Sequence, residues 1–183
     1  MSNEGNTREP EVVGPEAAAR AEQLVGDADE LLAAVLQAGE WPDERTVVEF
    51  LGEGTLDRVL ALYGQAMRLD PSEPAYPWNL GSVLNRLGIN DLALGFMGRA
   101  INLAVMKGDE EWSGIDAQLA LAEVAIDAGE FDFALTALAH AQAADPGSDS
   151  GAHIHELLAA VRDKQNDPQP QASLASLLER LPA

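Results

Sequence analysis

The histidines are the residues best suited to catalysis or metal binding, and their spacing argues against both. His153 and His155 lie two positions apart, so on a helix they would point about 200° away from each other and could not hold one metal ion together. His140 stands alone, and the chain has no cysteine. No phosphate-binding glycine loop or serine-nucleophile motif is present. The sequence therefore predicts a non-enzymatic protein with no catalytic residues, no metal site and no cofactor.

The charge balance limits the kinds of partner. The chain carries 31 acidic and 11 basic residues, for a formal net charge of -20. Nucleic-acid binding depends on Lys and Arg, so no nucleic-acid partner is expected. An acidic surface speeds encounter with a basic partner, although a solvated surface without any partner would look the same. No apolar run is long enough to span a bilayer and Met1–Asn6 does not resemble a secretory signal, so we expect a cytoplasmic protein without a membrane partner.

Any binding residues must be positioned by a repeated pair of helices. A glycine turn appears at Gly54, again at Gly88 and again at Gly129, with spacings of 34 and 41 residues. The helices after the two outer turns both end in Asp-Pro, at Pro71 and at Pro146. Seven extra residues, around 106–112, account for the longer spacing. Small residues recur where two helices must approach, and large apolar residues recur between them, so neighbouring pairs are predicted to stack.

This pattern resembles the tetratricopeptide repeat, which has a period of 34 residues. The matching residues are Trp78, Leu80, Gly81, Gly88, Ala93 and Ala100 in the middle unit; Leu121, Ala122, Gly129, Phe131, Ala134, Ala141 and Pro146 in the third; and Gly54, Tyr63, Ala66 and Pro71 in the first. The first unit departs from the pattern at Thr46 and Val47, where the family has Leu-Gly. The resemblance implies an all-α fold, an α-α superhelix (a solenoid) with N- and C-terminal capping helices.

The predicted organisation has five parts. They are a disordered tail at 1–14, a helical cap at 15–39, three repeats at 40–148 (40–73, 74–114 and 115–148), a capping helix at 149–166, and a linker with a C-terminal helix at 167–183. Within them, helices are expected at 16–38 with a kink or a break at Gly26-Asp27, at 55–69 capped by Thr55, from Asn90 as a cap to 106, at 110–128 and at 131–144.

The resemblance also implies where a partner binds, because the first helix of each repeat lines the inner groove of the family. The residues that fall at groove positions are Trp78, Asn79, Ser82, Asn85 and Arg86 in the middle unit and Asp116, Leu119, Glu123 and Asp127 in the third. An asparagine can bond an extended peptide backbone, and a tryptophan can anchor an interface. Asp116 stands where clamps for a peptide carboxylate have a basic residue, so the groove is predicted to take a basic or amphipathic segment. The alternative is that Trp78 packs under the connector at 74–77 and Arg86 pairs internally.

Glycines inside the second helices indicate another surface. Gly64 and Gly98 occupy equivalent repeat positions, and Gly95 lies one turn before Gly98. Each costs about 1 kcal/mol relative to alanine, so another backbone is expected to come close. That backbone belongs either to a neighbouring helix or to a partner on the outer face.

The predicted function is therefore that of a protein-binding adaptor or chaperone-like scaffold. Two alternatives stay open: a structural or regulatory subunit of a larger assembly, and a chaperone of the secretion type, to which Tyr76-Pro77-Trp78 gives a loose likeness. The C-terminal leucines at 174, 177, 178 and 181 would dock back on the chain or join another copy in a homo-oligomer.

Overall fold

The computed structural model describes residues 13–33, 44–144 and 150–166, and these residues form helices and short connections without any strand. The helices are α1 (Pro15–Ala33), α2 (Glu44–Gly52), α3 (Thr55–Leu69), α4 (Ala75–Arg86), α5 (Asn90–Lys107), α6 (Ile115–Asp127), α7 (Phe131–Ala144) and α8 (Ser150–Asn166). The all-α prediction is confirmed for this part of the chain. The predicted tail as far as residue 12, the second Asp-Pro, the linker and the C-terminal helix lie outside the described residues.

The helices pack chiefly in pairs. α4 packs against α5, α6 against α7, and α1 against α3, while α3–α4 and α5–α6 contacts join one pair to the next. α8 packs on both α6 and α7. The molecule is thus a series of helix pairs, and the single helix α8 packs against the last pair, α6 and α7.

The glycine turns adopt the same conformation in all three places. Gly54, Gly88 and Gly129 have φ values of 69°, 74° and 71°, in the left-handed region that only glycine adopts at little cost. Ile89 and Glu130 follow the last two of these glycines, and their backbone N–H groups donate over 2.8 Å to the carbonyls of the residues five positions earlier. This closes each preceding helix with a Schellman-type end and turns the chain back on itself. The three predicted turns are confirmed.

Equivalent positions are buried in successive second helices. At spacings of 34 and 41 residues the buried sets are Val59, Ala93 and Ala134; Tyr63, Met97 and Leu138; and Ala66, Ala100 and Ala141, each at most 3% exposed. Burial in the first helices follows the same rule at Leu80, Gly81 and Leu84 in α4 and at Leu121, Ala122 and Ala125 in α6. Repetition in the sequence therefore corresponds to repetition in packing.

The main partner of α3 is α1. The sequence pattern placed α3 in a unit with residues 40–54, yet α2 makes fewer contacts with α3 than α1 does. The Tyr63 hydroxyl on α3 donates a 2.9 Å hydrogen bond to Asp29 of α1. Because α1 is longer than α2 and buries Leu24, Val25 and Leu32, it offers α3 the larger apolar face.

Several local predictions were wrong. α1 continues through Gly26 without a break. α6 begins at Ile115 and not at Glu110, because Gly114 is extended (ψ -170°) and ends a turn closed by its N–H bond to the Glu110 carbonyl. The N-caps of α3 and α5 are Gly54 and Ile89 in place of Thr55 and Asn90, since each glycine turn leads directly into the helix.

Candidate protein-interaction surfaces

The predicted groove residues of α4 share one face that is only partly covered. Asn79 is exposed, and Trp78, Ser82, Asn85 and Arg86 are half-buried. Leu80 and Leu84 point the other way and are fully buried, which orients the helix. This part of the predicted site lies together on the surface.

Trp78 has an aromatic partner that sequence reasoning missed. Its ring meets the ring of Trp112 edge-on, with centroids 5.6 Å apart and planes at 64°, a favourable aromatic arrangement. Trp112 is also half-buried. The contact accounts for part of the burial of Trp78. A tryptophan within the seven-residue insertion was the available signal.

Trp112 is held by a compact connector between α5 and α6, residues 108–114. Asp109 accepts a 3.0 Å bond from the Glu111 N–H, and its carbonyl accepts a 2.5 Å bond from the Ser113 hydroxyl. A Cβ at Gly114 would lie 2.5 Å from the Glu110 carbonyl oxygen, so only glycine fits the turn as it stands. The Trp112 connector is thus a defined loop that carries acidic side chains.

The predicted groove residues of α6 divide into two groups. Asp116 is exposed, whereas Leu119 is only 7% exposed and belongs to the core. Glu123 lies 2.9 Å from the His153 ring, and Asp127 lies 2.7 Å from the Lys164 ammonium group. Both partner side chains come from α8. Glu123 and Asp127 therefore face α8 and Leu119 lies in the core, so Asp116 is the one predicted α6 residue that stays exposed without a described contact to α8.

The histidines do not form a site together. His153 faces Glu123 and, at 3.5 Å, Glu156, whereas the His155 ring contacts the Gly151 carbonyl at 2.6 Å within its own helix. Among the described residues, no group of His, Cys, Asp or Glu has an arrangement that would hold a metal ion. Burial and the nearby Asp29 raise the pKa of Tyr63, and burial with nearby carboxylates raises that of Tyr76. Burial stabilises both phenols in the neutral form, and neither has the lowered pKa of an activated nucleophile.

A second open surface lies between α5 and α7. We call it the α5–α7 groove; it consists of two adjoining cavities of about 590 and 260 Å³, both lined by Gly98, Asn102 and Phe133. Large apolar side chains stand exposed beside it, namely Val105 (61% exposed), Met106 (75%) and Phe133 (45%). At the end near the α6–α7 turn, Ala128 and Glu130 complete the lining. In the sequence, the glycines of α5 were the one indication of this surface.

The glycines of α5 do not serve helix packing. A Cβ at Gly95 would meet nothing within 4 Å, and one at Gly98 would meet only the Phe133 ring, at 3.8 Å. Gly64 meets only the end of the Arg68 side chain on its own helix. Gly81 of α4 is different, because a Cβ there would lie 3.0 Å from the Ala93 carbonyl oxygen of α5. The close approach of another helix backbone, which the sequence predicted at the glycines of the second helices, therefore occurs at Gly81 of α4.

These features define an all-α protein of paired helices with two exposed surfaces among its described residues. The sequence matches no protein-family model, and no curated protein is significantly similar to it. The described helices include none that is long and apolar enough to cross a membrane. The likeness to a helical-repeat family stays a prediction from the residue pattern.

Proposed function

We propose that this chain is a non-enzymatic protein-interaction scaffold, with an α-α superhelical architecture like that of tetratricopeptide repeats, that binds a basic segment of a partner polypeptide. The observation that carries the proposal is the half-exposed Trp78–Trp112 pair beside acidic residues. We infer a cytoplasmic setting, with which a chain that lacks cysteine is compatible.

The tryptophan pair supplies affinity for a cation. The face of an indole ring attracts an Arg or Lys side chain by about 0.5–2 kcal/mol, depending on how far the site excludes water. Two indoles held edge-on lose little conformational entropy on binding, since each is already packed against its neighbour. Tryptophan is also among the residues that contribute most to interfaces. A basic side chain lying on this pair would therefore be stabilised by the cation–π attraction and would bind rings that are already ordered.

Charge supplies the selectivity. Asp109, Glu110 and Glu111 lie in the Trp112 connector, and Asp116 follows on the first turn of α6. No Lys or Arg occurs between positions 108 and 161, so this stretch concentrates the field of a chain with net charge -20. The field attracts a basic segment and repels an acidic one. Asn79, exposed on α4, adds a donor and an acceptor for the partner backbone.

The site is smaller than the groove predicted from the sequence. Glu123 and Asp127 contact His153 and Lys164 of α8, and Leu119 is buried, so the proposed contact residues are Trp78, Asn79, Trp112 and Asp116. Ser82 and Asn85 extend the same face of α4. A short basic segment fits this surface better than a peptide lying along all the repeats.

A titration with defined peptides tests the proposal. The probes are a short arginine-rich amphipathic peptide and its counterparts with glutamine or glutamate in place of each arginine, each carrying a fluorophore for anisotropy. We expect only the arginine peptide to bind, and binding to weaken as salt is added. Trp112→Leu keeps an apolar side chain but removes the ring, and should weaken binding by roughly 2–30-fold, the range that cation–π energies imply.

A charge-matched control separates the site from the overall field. Asp116→Lys and Asp163→Lys change the net charge equally, but Asp163 lies on α8, which packs on α6 and α7, and its side chain is 76% exposed. Asp116→Lys should weaken binding much more than Asp163→Lys. Equal affinity in the parent, Trp112→Leu and Asp116→Lys proteins would rule out the proposed surface, and equal binding of all three peptides would rule out the charge selectivity.

A further inference from the structure

The α5–α7 groove is separate from the proposed partner site and has no occupant among the described residues. Its floor includes the backbone at Gly95 and Gly98, and apolar side chains stand beside it. Each glycine costs α5 about 1 kcal/mol relative to alanine; a Cβ at Gly95 would meet nothing within 4 Å, and one at Gly98 would touch only the Phe133 ring, at 3.8 Å. The glycines and the exposed apolar rim together indicate a surface that another segment covers.

We propose that the C-terminal segment of the same chain, residues 172–181, docks into the α5–α7 groove. Three observations select this occupant over other segments: where α8 ends, how much chain follows it, and the apolar pattern of that chain. The binding mode would be an amphipathic helix lying in a groove.

The end of α8 lies close to the groove entrance. The Lys164 ammonium group contacts Asp127, at the end of α6, over 2.7 Å, and α8 ends two residues later at Asn166. Ala128, the next residue after Asp127, already lines the groove, as does Glu130. Five residues, 167–171, separate α8 from the segment. With prolines at 168 and 170 they span about 16 Å when extended, which is enough to pass the α6–α7 turn.

The segment matches the groove in length and chemistry. As a helix, residues 172–181 would be about 15 Å long, and α5 extends about 17 Å from Leu94 to Val105 along the groove. The leucines at 174, 177, 178 and 181 have the i, i+3, i+4, i+7 spacing that gives one apolar face. The segment contains one acid, Glu179, and one base, Arg180, so it is neutral within a strongly acidic chain. It can therefore approach the rest of the protein without net repulsion.

Engineered cysteines test this docking in the full chain, where the absence of native cysteine removes any background. Gly98→Cys is tolerated, because its Cβ has room beside Phe133. Paired with Leu177→Cys and treated with a short bismaleimide, it should give an intramolecular cross-link, seen by intact mass and gel mobility, whose yield does not change with protein concentration. The matched control pairs Leu177→Cys with Leu158→Cys, a leucine of α8 that is 37% exposed, and should cross-link much less.

The other outcomes each overturn the proposal. A preferred cross-link to position 158 would mean that the segment covers α8. Dimers whose yield rises with concentration would mean that the groove takes the segment of a second copy. No cross-link in either pair would mean that the segment docks at neither place.

A second measurement does not depend on cross-linking geometry. In a chain whose only cysteine is Gly98→Cys, maleimide labelling should become several-fold faster when Leu177 and Leu178 are both replaced by glutamate, because the docked segment no longer covers the groove. A single cysteine at Leu158 should label at the same rate in both backgrounds. An unchanged rate at position 98 would contradict cis docking.

Discussion

Alanine substitutions at two interior glycines should have opposite effects on stability. Gly81 of α4 and Gly95 of α5 both lie within helices, so on helix propensity alone each change to alanine should stabilise the protein by about 1 kcal/mol. Gly95 has open space where the methyl group would go. We therefore expect Gly95→Ala to gain that amount.

Gly81 has no such space. Its Cβ would lie 2.5 Å from Met97 Cγ, 3.0 Å from the Ala93 carbonyl oxygen and 3.1 Å from the Met97 nitrogen. The Met97 side chain can rotate away, but the two backbone atoms can move only if α5 shifts away from α4. Overpacking of this kind costs about 1–3 kcal/mol, and the rigid backbone contacts argue for the upper part of that range. The gain in helix propensity offsets part of this cost, so we expect Gly81→Ala to lower the free energy of unfolding by about 1–2 kcal/mol.

Urea and thermal unfolding followed by circular dichroism measure the difference. The free energies of unfolding of the two variants should differ by about 2–3 kcal/mol, which corresponds to a difference of about 4–12 °C in the thermal midpoint for a chain of this size. Gly26→Ala in α1, where a Cβ also meets nothing within 4 Å, calibrates the propensity gain. A Gly81→Ala protein as stable as Gly26→Ala and Gly95→Ala would refute the α4–α5 contact as the reason for glycine at position 81.

The other predictions concern side-chain contacts between helices. Tyr63→Phe should lower the free energy of unfolding by about 0.5–1.5 kcal/mol near neutral pH, because it removes the hydrogen bond to Asp29 that joins α3 to α1. Above pH 10.0, the ordinary pKa of tyrosine, the unfolded chain releases the Tyr63 proton, whereas burial keeps this proton bound in the folded state. The free energy of unfolding of the parent should therefore fall faster with pH than that of Tyr63→Phe, by up to about 1.4 kcal/mol per pH unit. Denaturant titrations at several alkaline pH values measure this, and equal slopes would show that Tyr63 ionises freely in the folded protein. Lys164→Met should lower the free energy of unfolding by less than about 1 kcal/mol, because the ion pair of Lys164 with Asp127 is nearly half exposed, and the difference should vanish in high salt. A large loss that does not depend on salt would mean that Lys164 stabilises the protein mainly through the packing of its aliphatic carbons and not through the ion pair.

The turns and the helix cores were predictable from local patterns. A glycine at 54, 88 and 129 identifies a turn because no other residue adopts positive φ so readily. The extents predicted for α3 and α7, 55–69 and 131–144, match the structure because caps, glycines and prolines act within a few residues of the helix ends.

The partners of helices were less predictable. α2 precedes α3 directly, yet α1 supplies most of its contacts, because the choice depends on how much apolar face each helix presents. The pairing of Trp78 with Trp112 joins residues that lie on either side of α5. The side chains that contact Glu123 and Asp127, His153 and Lys164, come from α8, which follows them by about 30 positions or more. The helix pairing and the contacts with α8 leave no local signal, and the tryptophan pair leaves only the presence of a tryptophan in the insertion.

By itself the sequence determined that the described chain is helical, where its glycine turns fall and which positions repeat in the core, since these depend on backbone conformation and on the periodicity of apolar residues within each helix. Only the tertiary structure decided which surfaces stay open. α8 engages two of the predicted acidic residues, Trp112 joins Trp78, and a Cβ at Gly95 would meet none of the described residues within 4 Å. These outcomes depend on the distances between helices that are far apart along the chain, and such distances are set by the packing of the whole assembly of helices.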